Sequence, residues 1–382
     1  MAKYKVVITD HEYETITEEK AALEPIGAEV LDYQYKDVEN ILKVAHDADG
    51  IIVQYAKVPK ELIDGLEKCK IIARYATGFD NMELEYAAEH GIYITNIPDY
   101  CREEVSSHAL ALLLELNRRV SKYDRWIHEG NWFNMPGKQH VLKDQVIGVI
   151  SFGRIARSYI DKIKPLCNNI WVYDAYVDDS VIENYGCVPK SCDEILAGAD
   201  YISIHCPLTN ETRHMFNKDA FRKMKPTACL INVARGPIVS EEDLVWALEN
   251  HEIAGAALDV LETEPISPDN PLLKFENLIL TPHVAWYSVE SQRVLQRTPA
   301  EEVARASSEI RHSETISSSA RSISDTASSR PAASASSAFS ATAASSGLPM
   351  RLAARAASST PLTSLRRETS LSQRAMSSAL SA

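Results

Sequence analysis

Short apolar runs alternate with amphipathic stretches along most of this chain, and that alternation constrains its fold more than any other feature. In the first hundred residues the apolar runs predict strands at 4–9, 50–54, 71–74 and 93–95. Helix-like segments lie between them, which is typical of α/β folds with parallel sheets. We therefore expect this part of the chain to form a small doubly wound sheet.

A second series of the same kind begins at about residue 146. Between the two series, apolar residues recur at helical spacing over 102–129, which predicts one long helix. Such a helix suits a connector that also packs on a second subunit, and a core helix is the alternative reading. A last helix is predicted at 288–304. Further strands are predicted at 146–150, 170–173, 201–205, 228–233, 255–259 and 278–281.

The composition changes near residue 306. Residues 307–382 hold 8 Arg, no Lys and 4 acidic residues, a net of +4, together with 24 Ser and 16 Ala. The whole chain carries −13, so the first 306 residues carry −17. The Ser/Ala/Arg-rich segment has too few apolar side chains to offset its ordering entropy. We predict that 307–382 is a disordered tail, either a product of a changed reading frame or a basic binding arm.

Charge and cysteine usage exclude several classes of function. A net charge of −17 disfavours nucleic-acid binding by the first 306 residues, because phosphates would be repelled. No apolar stretch approaches the ~20 residues of a membrane helix. Seven cysteines are scattered without a Cys-x-x-Cys pair. This pattern predicts a reduced, cytoplasmic protein with neither a disulfide framework nor a metal site.

A glycine turn at 151–156 follows the first strand of the second series. It reads Ser151-Phe-Gly153-Arg-Ile-Ala156, where a dinucleotide fingerprint would read Gly-x-Gly-x-x-Gly/Ala. Gly153 lets the backbone approach a pyrophosphate, whereas a side chain at Ser151 is expected to strain the tight turn. Asp174 ends the next strand, 21 residues after Gly153, where a carboxylate accepts ribose hydroxyls and repels a 2′-phosphate. The cofactor predicted from this pattern is NAD.

Three polar residues each follow a predicted strand of the second series. Arg235 lies in Asn-Val-Ala-Arg-Gly, Glu264 precedes a proline, and His283 follows one. The carboxyl ends of strands are where open α/β sheets bind ligands. An Arg, a carboxylate and a His that converge there indicate a site for reducing a carbonyl group. The other histidines, such as His108, are predicted to be structural.

Taken in order, these motifs resemble the D-isomer-specific 2-hydroxyacid dehydrogenase family, over residues 4 to about 305. Within the family they look closest to the branch of phosphoglycerate dehydrogenase-like enzymes and C-terminal-binding protein corepressors. The resemblance implies a flavodoxin-like substrate domain (1–100 with 286–306) and a Rossmann NAD domain (101–285). It also implies a homodimer that acts on a small 2-oxo or 2-hydroxy acid.

The resemblance implies a role for each motif. Arg235 would hold the substrate carboxylate and carbonyl, His283 would act as acid and base, and Glu264 would orient and tune His283. The substrate would also meet Tyr75, Ala76, Thr77, Gly78, Tyr100 and Trp286. The cofactor would meet Val105, Gly153, Arg154, Ile155, Asp174, Cys206, Pro207, Thr212, Val233, Ala234, Arg235 and Asp259. Ala76 stands where the family usually has Gly.

Two other functions stay open at this point. The same triad occurs in NAD(H)-sensing corepressor-like proteins, and the departure at Ser151 would also suit a homologue with impaired cofactor binding. For an enzyme, the aromatic residues near the site predict a substrate with an apolar or aromatic side chain rather than a phosphorylated one.

Overall fold

The computed structural model describes residues 3–79, 81–133 and 138–307, which form two parallel β-sheets with flanking helices. Both sheets belong to one compact unit. The predicted α/β class with two doubly wound sheets is confirmed. The predicted tail at 307–382 lies outside the described residues except for Ser307. Within the described ranges, no helix is long and apolar enough to cross a membrane.

The first sheet has five parallel strands. They are β1 (Tyr4–Ile8), β2 (Ala28–Asp32), β3 (Gly50–Val53), β4 (Ile71–Arg74) and β5 (Tyr93–Thr95). Their order is β2-β1-β3-β4-β5, the flavodoxin-like order. The sequence pattern does not predict β2, an edge strand whose side chains are at most partly buried. The helices beside this sheet are α1 (Thr17–Leu23), α2 (Val38–Ala45), α3 (Lys60–Asp64) and α4 (Leu84–Glu89), with a 3₁₀ turn at Glu24–Ile26.

Two helices, not one, connect the sheets, so the prediction of a single helix over 102–129 is wrong. They are α5 (Arg102–Arg118) and α6 (Val120–His128). Arg119 between them has a φ of 53°, a left-handed conformation that ends α5. The Glu115 carboxylate then accepts the backbone N–H of Ser121 at 3.1 Å and supports the first turn of α6. Apolar residues continue at helical spacing through this break, but no residue of α6 is buried, and its Val120 and Ile127 are exposed.

The second sheet has seven parallel strands. They are β6 (Val146–Ile150), β7 (Asn169–Tyr173), β8 (Val188–Pro189), β9 (Tyr201–Ile204), β10 (Cys229–Asn232), β11 (Gly255–Leu258) and β12 (Leu278–Leu280). Their order is β12-β11-β10-β9-β6-β7-β8, so the chain reverses direction across the sheet between β6 and β9. Ligands of such folds bind at this switch point. The helices are α7 (Arg154–Ile163), α8 (Asp179–Asn184), α9 (Cys192–Gly198), α10 (Lys218–Lys223) and α11 (Glu241–Glu249), with 3₁₀ turns at Leu142–Asp144, Gly236–Ile238 and Pro271–Lys274.

The chain returns to the first sheet at its described end. Residues 289–307 form helix α12, which begins after Ser288, close to the predicted start. Its Leu295 and Val303 join the core formed by Val6 and Ile8 of β1. In the other half, α5 packs on α7 over the second sheet. The domain limits inferred from the sequence stay predictions, and this packing supports them.

Candidate active site

Arg235, Glu264 and His283 lie at one edge of the second sheet. They follow β10, β11 and β12, which are neighbouring parallel strands. Parallel strands end at the same edge, so the loops that carry the three side chains lie side by side. The close packing of two of these loops requires Gly236, since a Cβ there would lie 1.9 Å from the carbonyl oxygen of Leu261.

His283 and Glu264 form a direct pair. The His283 Nδ1 lies 2.7 Å from the Glu264 Oε2, and the other carboxylate oxygen accepts the backbone N–H of Leu261 at 2.9 Å. Partial desolvation raises the pKa of Glu264. The hydrogen bond and charge of His283, the Leu261 N–H and the charge of Arg235 outweigh it and hold this pKa below its usual value. Glu264 is therefore an ionised acceptor at neutral pH.

His283 lies in a turn, residues 281–285, that we call the His283 turn. Its φ of 52° is a left-handed conformation that a non-glycine residue adopts at a cost. The Asp259 carboxylate accepts the N–H of Val284 at 3.0 Å, the N–H of Ala285 at 2.9 Å and the hydroxyl of Thr281 at 2.5 Å. The His283 N–H donates to the Asp259 carbonyl at 2.7 Å. Asp259, expected to contact the cofactor, thus also holds the turn that presents His283.

Arg235 is positioned by a buried asparagine that the sequence analysis did not single out. The Asn232 amide donates to the Arg235 carbonyl at 2.9 Å and accepts the Ala234 N–H at 3.0 Å. The Arg235 guanidinium donates to the Ala234 carbonyl at 2.8 Å. Asn232 is fully buried at the end of β10, so its side chain shapes the loop from inside. The spacing Asn-x-x-Arg is the sequence signal from which the role of Asn232 could have been predicted.

The first sheet contributes the loop 76–78, which follows β4. In this loop the Thr77 hydroxyl donates to the Ile97 carbonyl at 2.9 Å. All three carbonyl oxygens of this loop accept hydrogen bonds from the protein, which fixes the orientation of its peptide groups. Their donors are the Ile97 N–H for Ala76, the Asn96 amide for Thr77 and the Arg74 guanidinium for Gly78.

The Tyr75 side chain was predicted to line a substrate pocket, but in the structure it faces the protein core. Only 2% of the residue is exposed, and its hydroxyl donates to the buried Glu19 carboxylate at 2.7 Å. Its ring packs edge-on against Tyr13 in the core of the first sheet. Tyr75 lies between β4 and the 76–78 loop, so its buried side chain anchors the start of that loop in the core. Tyr100 and Trp286 lie where the two cores meet, with ring centroids 6.4 Å apart.

The turn at residues 151–153, which we call the Ser151 turn, lies at the switch point after β6. Ser151 has a φ of 89°, so the expected strain is present where the fingerprint would place glycine. Gly153 is the N-cap of α7 and has no side-chain capping bond. A Cβ on Gly153 would meet only the Ser151 hydroxyl, at 3.8 Å. The first N–H groups of α7, including those of Arg154 and Ile155, therefore lie beside a glycine with free space around it. Such an arrangement suits a pyrophosphate.

Asp174 follows β7, beside the Ser151 turn. Its Oδ2 accepts the Phe152 N–H at 2.7 Å and the Ser151 hydroxyl at 3.3 Å. Its Oδ1 accepts the N–H groups of Tyr176 and Val177 at 2.9 and 3.2 Å. A carboxylate has about four acceptor positions. A ribose hydroxyl would therefore compete with these bonds, and the longest one, to Ser151, is the easiest to displace.

The remaining predicted cofactor residues lie at the same edge of the sheet. After β9, the Thr212 hydroxyl donates to the Pro207 carbonyl at 2.7 Å, and this closes the loop that begins at the buried Cys206. Val233 follows β10 and shares a core with Val105 of α5. These residues surround the ends of β9 and β10, next to the Ser151 turn. An extended dinucleotide would follow this course along the sheet edge.

Known proteins share these sequence and fold features. The family model "D-isomer specific 2-hydroxyacid dehydrogenase, NAD binding domain" matches residues 110–285. A hydroxypyruvate reductase of Blautia hydrogenotrophica is 36% identical over 265 residues, which cover 68% of this chain and 82% of that protein. A glyoxylate reductase of Thermofilum pendens is also 36% identical over 265 residues, covering 67% and 77%. The chain belongs to the D-isomer-specific 2-hydroxyacid dehydrogenase family.

Solved structures of this dehydrogenase family share the fold. The D-lactate dehydrogenase of Aquifex aeolicus, solved with NAD and lactic acid, has a TM-score of 0.71 and 29% identity. The alignment covers 78% of this chain and 94% of that one. The protein is thus an NAD-dependent oxidoreductase of the 2-hydroxyacid dehydrogenase family, as the sequence motifs predict. The open backbone at Gly153 fits that cofactor.

Proposed function

We propose that this protein transfers hydride reversibly between NADH and a 2-oxo acid, giving a D-2-hydroxy acid, with His283 as acid and base. The observation that carries the proposal is the 2.7 Å pair of His283 and Glu264, at the sheet edge that also holds Arg235. An acid, the carboxylate that orients it and a guanidinium are the groups that carbonyl reduction needs from a protein.

The pair defines which ring nitrogen of His283 faces the substrate. Ionised Glu264 can only accept, so the His283 Nδ1 carries a hydrogen and the Nε2 is the nitrogen that exchanges a proton with substrate. NADH, when bound, supplies the hydride. As the carbonyl carbon is reduced, the His283 Nε2 donates its proton to the carbonyl oxygen. In oxidation the neutral Nε2 takes that proton from the hydroxyl group.

Arg235 and the 76–78 loop bind the substrate carboxylate in this proposal. The guanidinium offers a planar pair of donors that matches a carboxylate or a carboxylate with its adjacent carbonyl. The fixed peptide groups of the loop offer further N–H donors from the first sheet. A substrate held from both sides lies between the two sheets, with its carbonyl oxygen toward His283.

The cofactor is held by the residues around the Ser151 turn. The first N–H groups of α7 bind the pyrophosphate, and Asp174 binds the adenosine ribose. Asp259, Val233 and Ala234 border the nicotinamide, and Val105 packs beside it. Cys206, Pro207 and Thr212 border the adenosine.

The substrate side chain points toward Tyr100 and Trp286. Their paired rings favour an apolar or aromatic side chain over a phosphorylated one. Relatives named hydroxypyruvate and glyoxylate reductase, and one named D-3-phosphoglycerate dehydrogenase, define a useful set of competing substrates. Equal kcat/KM for phenylpyruvate and 3-phosphohydroxypyruvate would refute this preference.

We also propose that the protein is cytoplasmic and that two copies of it associate through α6 and residues 129–133. Four large apolar side chains are exposed there, among them Trp132 at 72% and Phe133 at 77%; the others are Val120 and Ile127. All seven cysteines are unpaired, which supports a reducing compartment. Light scattering should give twice the monomer mass, and replacing Trp132 and Phe133 by Ser should shift the mass toward the monomer. A monomeric parent protein would contradict the proposal.

The enzymatic proposal is tested by NADH oxidation with glyoxylate, hydroxypyruvate, phenylpyruvate and 3-phosphohydroxypyruvate. His283→Gln should lower kcat by about 100- to 10,000-fold, because general acid catalysis is lost. The Kd for NADH, from fluorescence, should stay within about threefold. His46→Gln, at an exposed helix end, is the matched control and should keep full activity.

Three outcomes would contradict the proposal in different ways. Full activity of His283→Gln would remove His283 from the chemistry. A parent protein that binds NADH without reducing any of the four acids would favour an NAD(H)-sensing protein. Failure to bind NADH would favour a homologue with impaired cofactor binding.

A further inference from the structure

Helix α5 carries two polar side chains, one turn apart, that contact both ends of the segment holding His283. The Glu104 carboxylate accepts the hydroxyl of Ser288, at the start of α12, at 2.7 Å. The His108 Nε2 lies 3.0 Å from the Thr281 hydroxyl oxygen and 3.5 Å from the Asp259 carboxylate. Residues four apart lie on one face of a helix. Thus a single face of α5 spans residues 281–288.

The direction of the His108 hydrogen bond follows from its partners. Thr281 has one hydroxyl hydrogen, and its 2.5 Å contact with the Asp259 carboxylate uses that hydrogen. The Thr281 oxygen can then only accept from His108, so the His108 Nε2 carries a hydrogen. This nitrogen is a donor whether the ring is neutral or protonated. The contact therefore does not depend on the charge of His108.

The contact is made at Thr281, two residues before the residue that needs external support. His283 has a left-handed backbone conformation that persists only when its surroundings over-determine it. Asp259 supplies most of that support through the N–H groups of Val284 and Ala285. Asp259 itself is 1% exposed, and His108 approaches the same oxygen that accepts Thr281 and Val284.

We propose that His108 is a positioning residue for the His283 turn. By donating to Thr281 it holds the Thr281–Asp259 hydrogen bond in place, and through it the orientation of His283. It also ties the turn to α5, the helix that leads from the first sheet to the second. This role rests on the catalytic role proposed for His283 and adds to it a residue 175 positions away in the chain.

The test compares His108→Leu, which removes the donor, with His108→Gln, whose amide reaches about the same point. His108→Leu should lower kcat about tenfold, because small displacements of a catalytic group are costly. The KM for the 2-oxo acid and the Kd for NADH should stay within about twofold. His108→Gln should recover most of the lost kcat. A simple packing role would not predict this split or the rescue.

A double-variant experiment separates this proposal from the proposed function. In a His283→Gln background, His108→Leu should change the residual rate by less than about twofold, because it acts through His283. An equal loss in both backgrounds would overturn the positioning role while leaving His283 catalytic. Full activity of His283→Gln alone would instead overturn the proposed function.

A second variant covers the case in which His108→Leu does not fold. Thr281→Val removes the acceptor from the other side of the same contact and should lower kcat at least as much. If His108→Leu folds and keeps kcat within twofold of the parent, the proposal is overturned. If only Thr281→Val folds and it keeps full kcat, the proposal is overturned as well.

Discussion

The Ser151 turn and the His283 turn both follow strands of the second sheet and share one backbone feature. Each follows a parallel strand, and each places a non-glycine residue at positive φ, 89° and 52°. Each is held by an aspartate that follows the neighbouring strand, Asp174 beside the first and Asp259 beside the second. The left-handed backbone at each turn is therefore stabilised by hydrogen bonds to a carboxylate.

The two aspartates differ in what else surrounds them. Asp259 is fully buried, and its contacts reach from the turn to His108 on a distant helix. Asp174 is partly exposed, and its partners are all close neighbours in the Ser151 turn and its own turn. The His283 turn is therefore supported from several elements. The Ser151 turn lies beside an accessible carboxylate, Asp174, that can exchange partners with a ligand.

Among the changes that compare the two turns, Asp259→Asn should have the largest effect. An amide cannot accept all the bonds this carboxylate accepts, so the turn around His283 should loosen. The free energy of unfolding should fall by about 2 to 3 kcal/mol, and kcat should fall about 100-fold. Urea unfolding and steady-state kinetics measure the two quantities.

Asp174→Asn is the matched comparison for that experiment. It should weaken NADH binding while leaving kcat within about threefold at saturating NADH, because its turn does not carry His283, the proposed acid. Equal losses of kcat in the two variants would break the distinction between the turns.

The smallest expected effect comes from Ser151→Gly. Glycine adopts positive φ without strain, so the folded state should gain about 1 kcal/mol, less what the more mobile unfolded chain recovers. The variant also removes the Ser151 bond to Asp174, which should tighten NADH binding about twofold. Thermal unfolding and NADH titration are the measurements.

Ser151→Ala separates the two causes of that effect. It removes the hydroxyl but keeps the Cβ, so it should tighten NADH binding without stabilising the protein. A Ser151→Gly variant that binds NADH more weakly than the parent would show that the hydroxyl assists the cofactor rather than competing with it.

Much of the fold and site could be predicted because strong local signals marked them. Buried strands such as β6 are continuous apolar runs, and the helix after Gly153 begins where the glycine turn predicts. The edge strand β2 and the two-residue β8 were missed, because partly buried residues lack such a pattern. The break at Arg119 was missed because no Gly or Pro marks it.

The sequence by itself determined the α/β class, the family and the NAD motif, and it singled out Arg235, Glu264 and His283 as the proposed catalytic residues. These follow from residue types at fixed spacing. Only the tertiary structure decided that Tyr75 faces the core, that Asn232 shapes the Arg235 loop, and that Asp259 and His108 contact the His283 turn. Such partners are far apart in the chain, and parallel-strand order and helix packing, not local sequence, bring them within hydrogen-bonding distance.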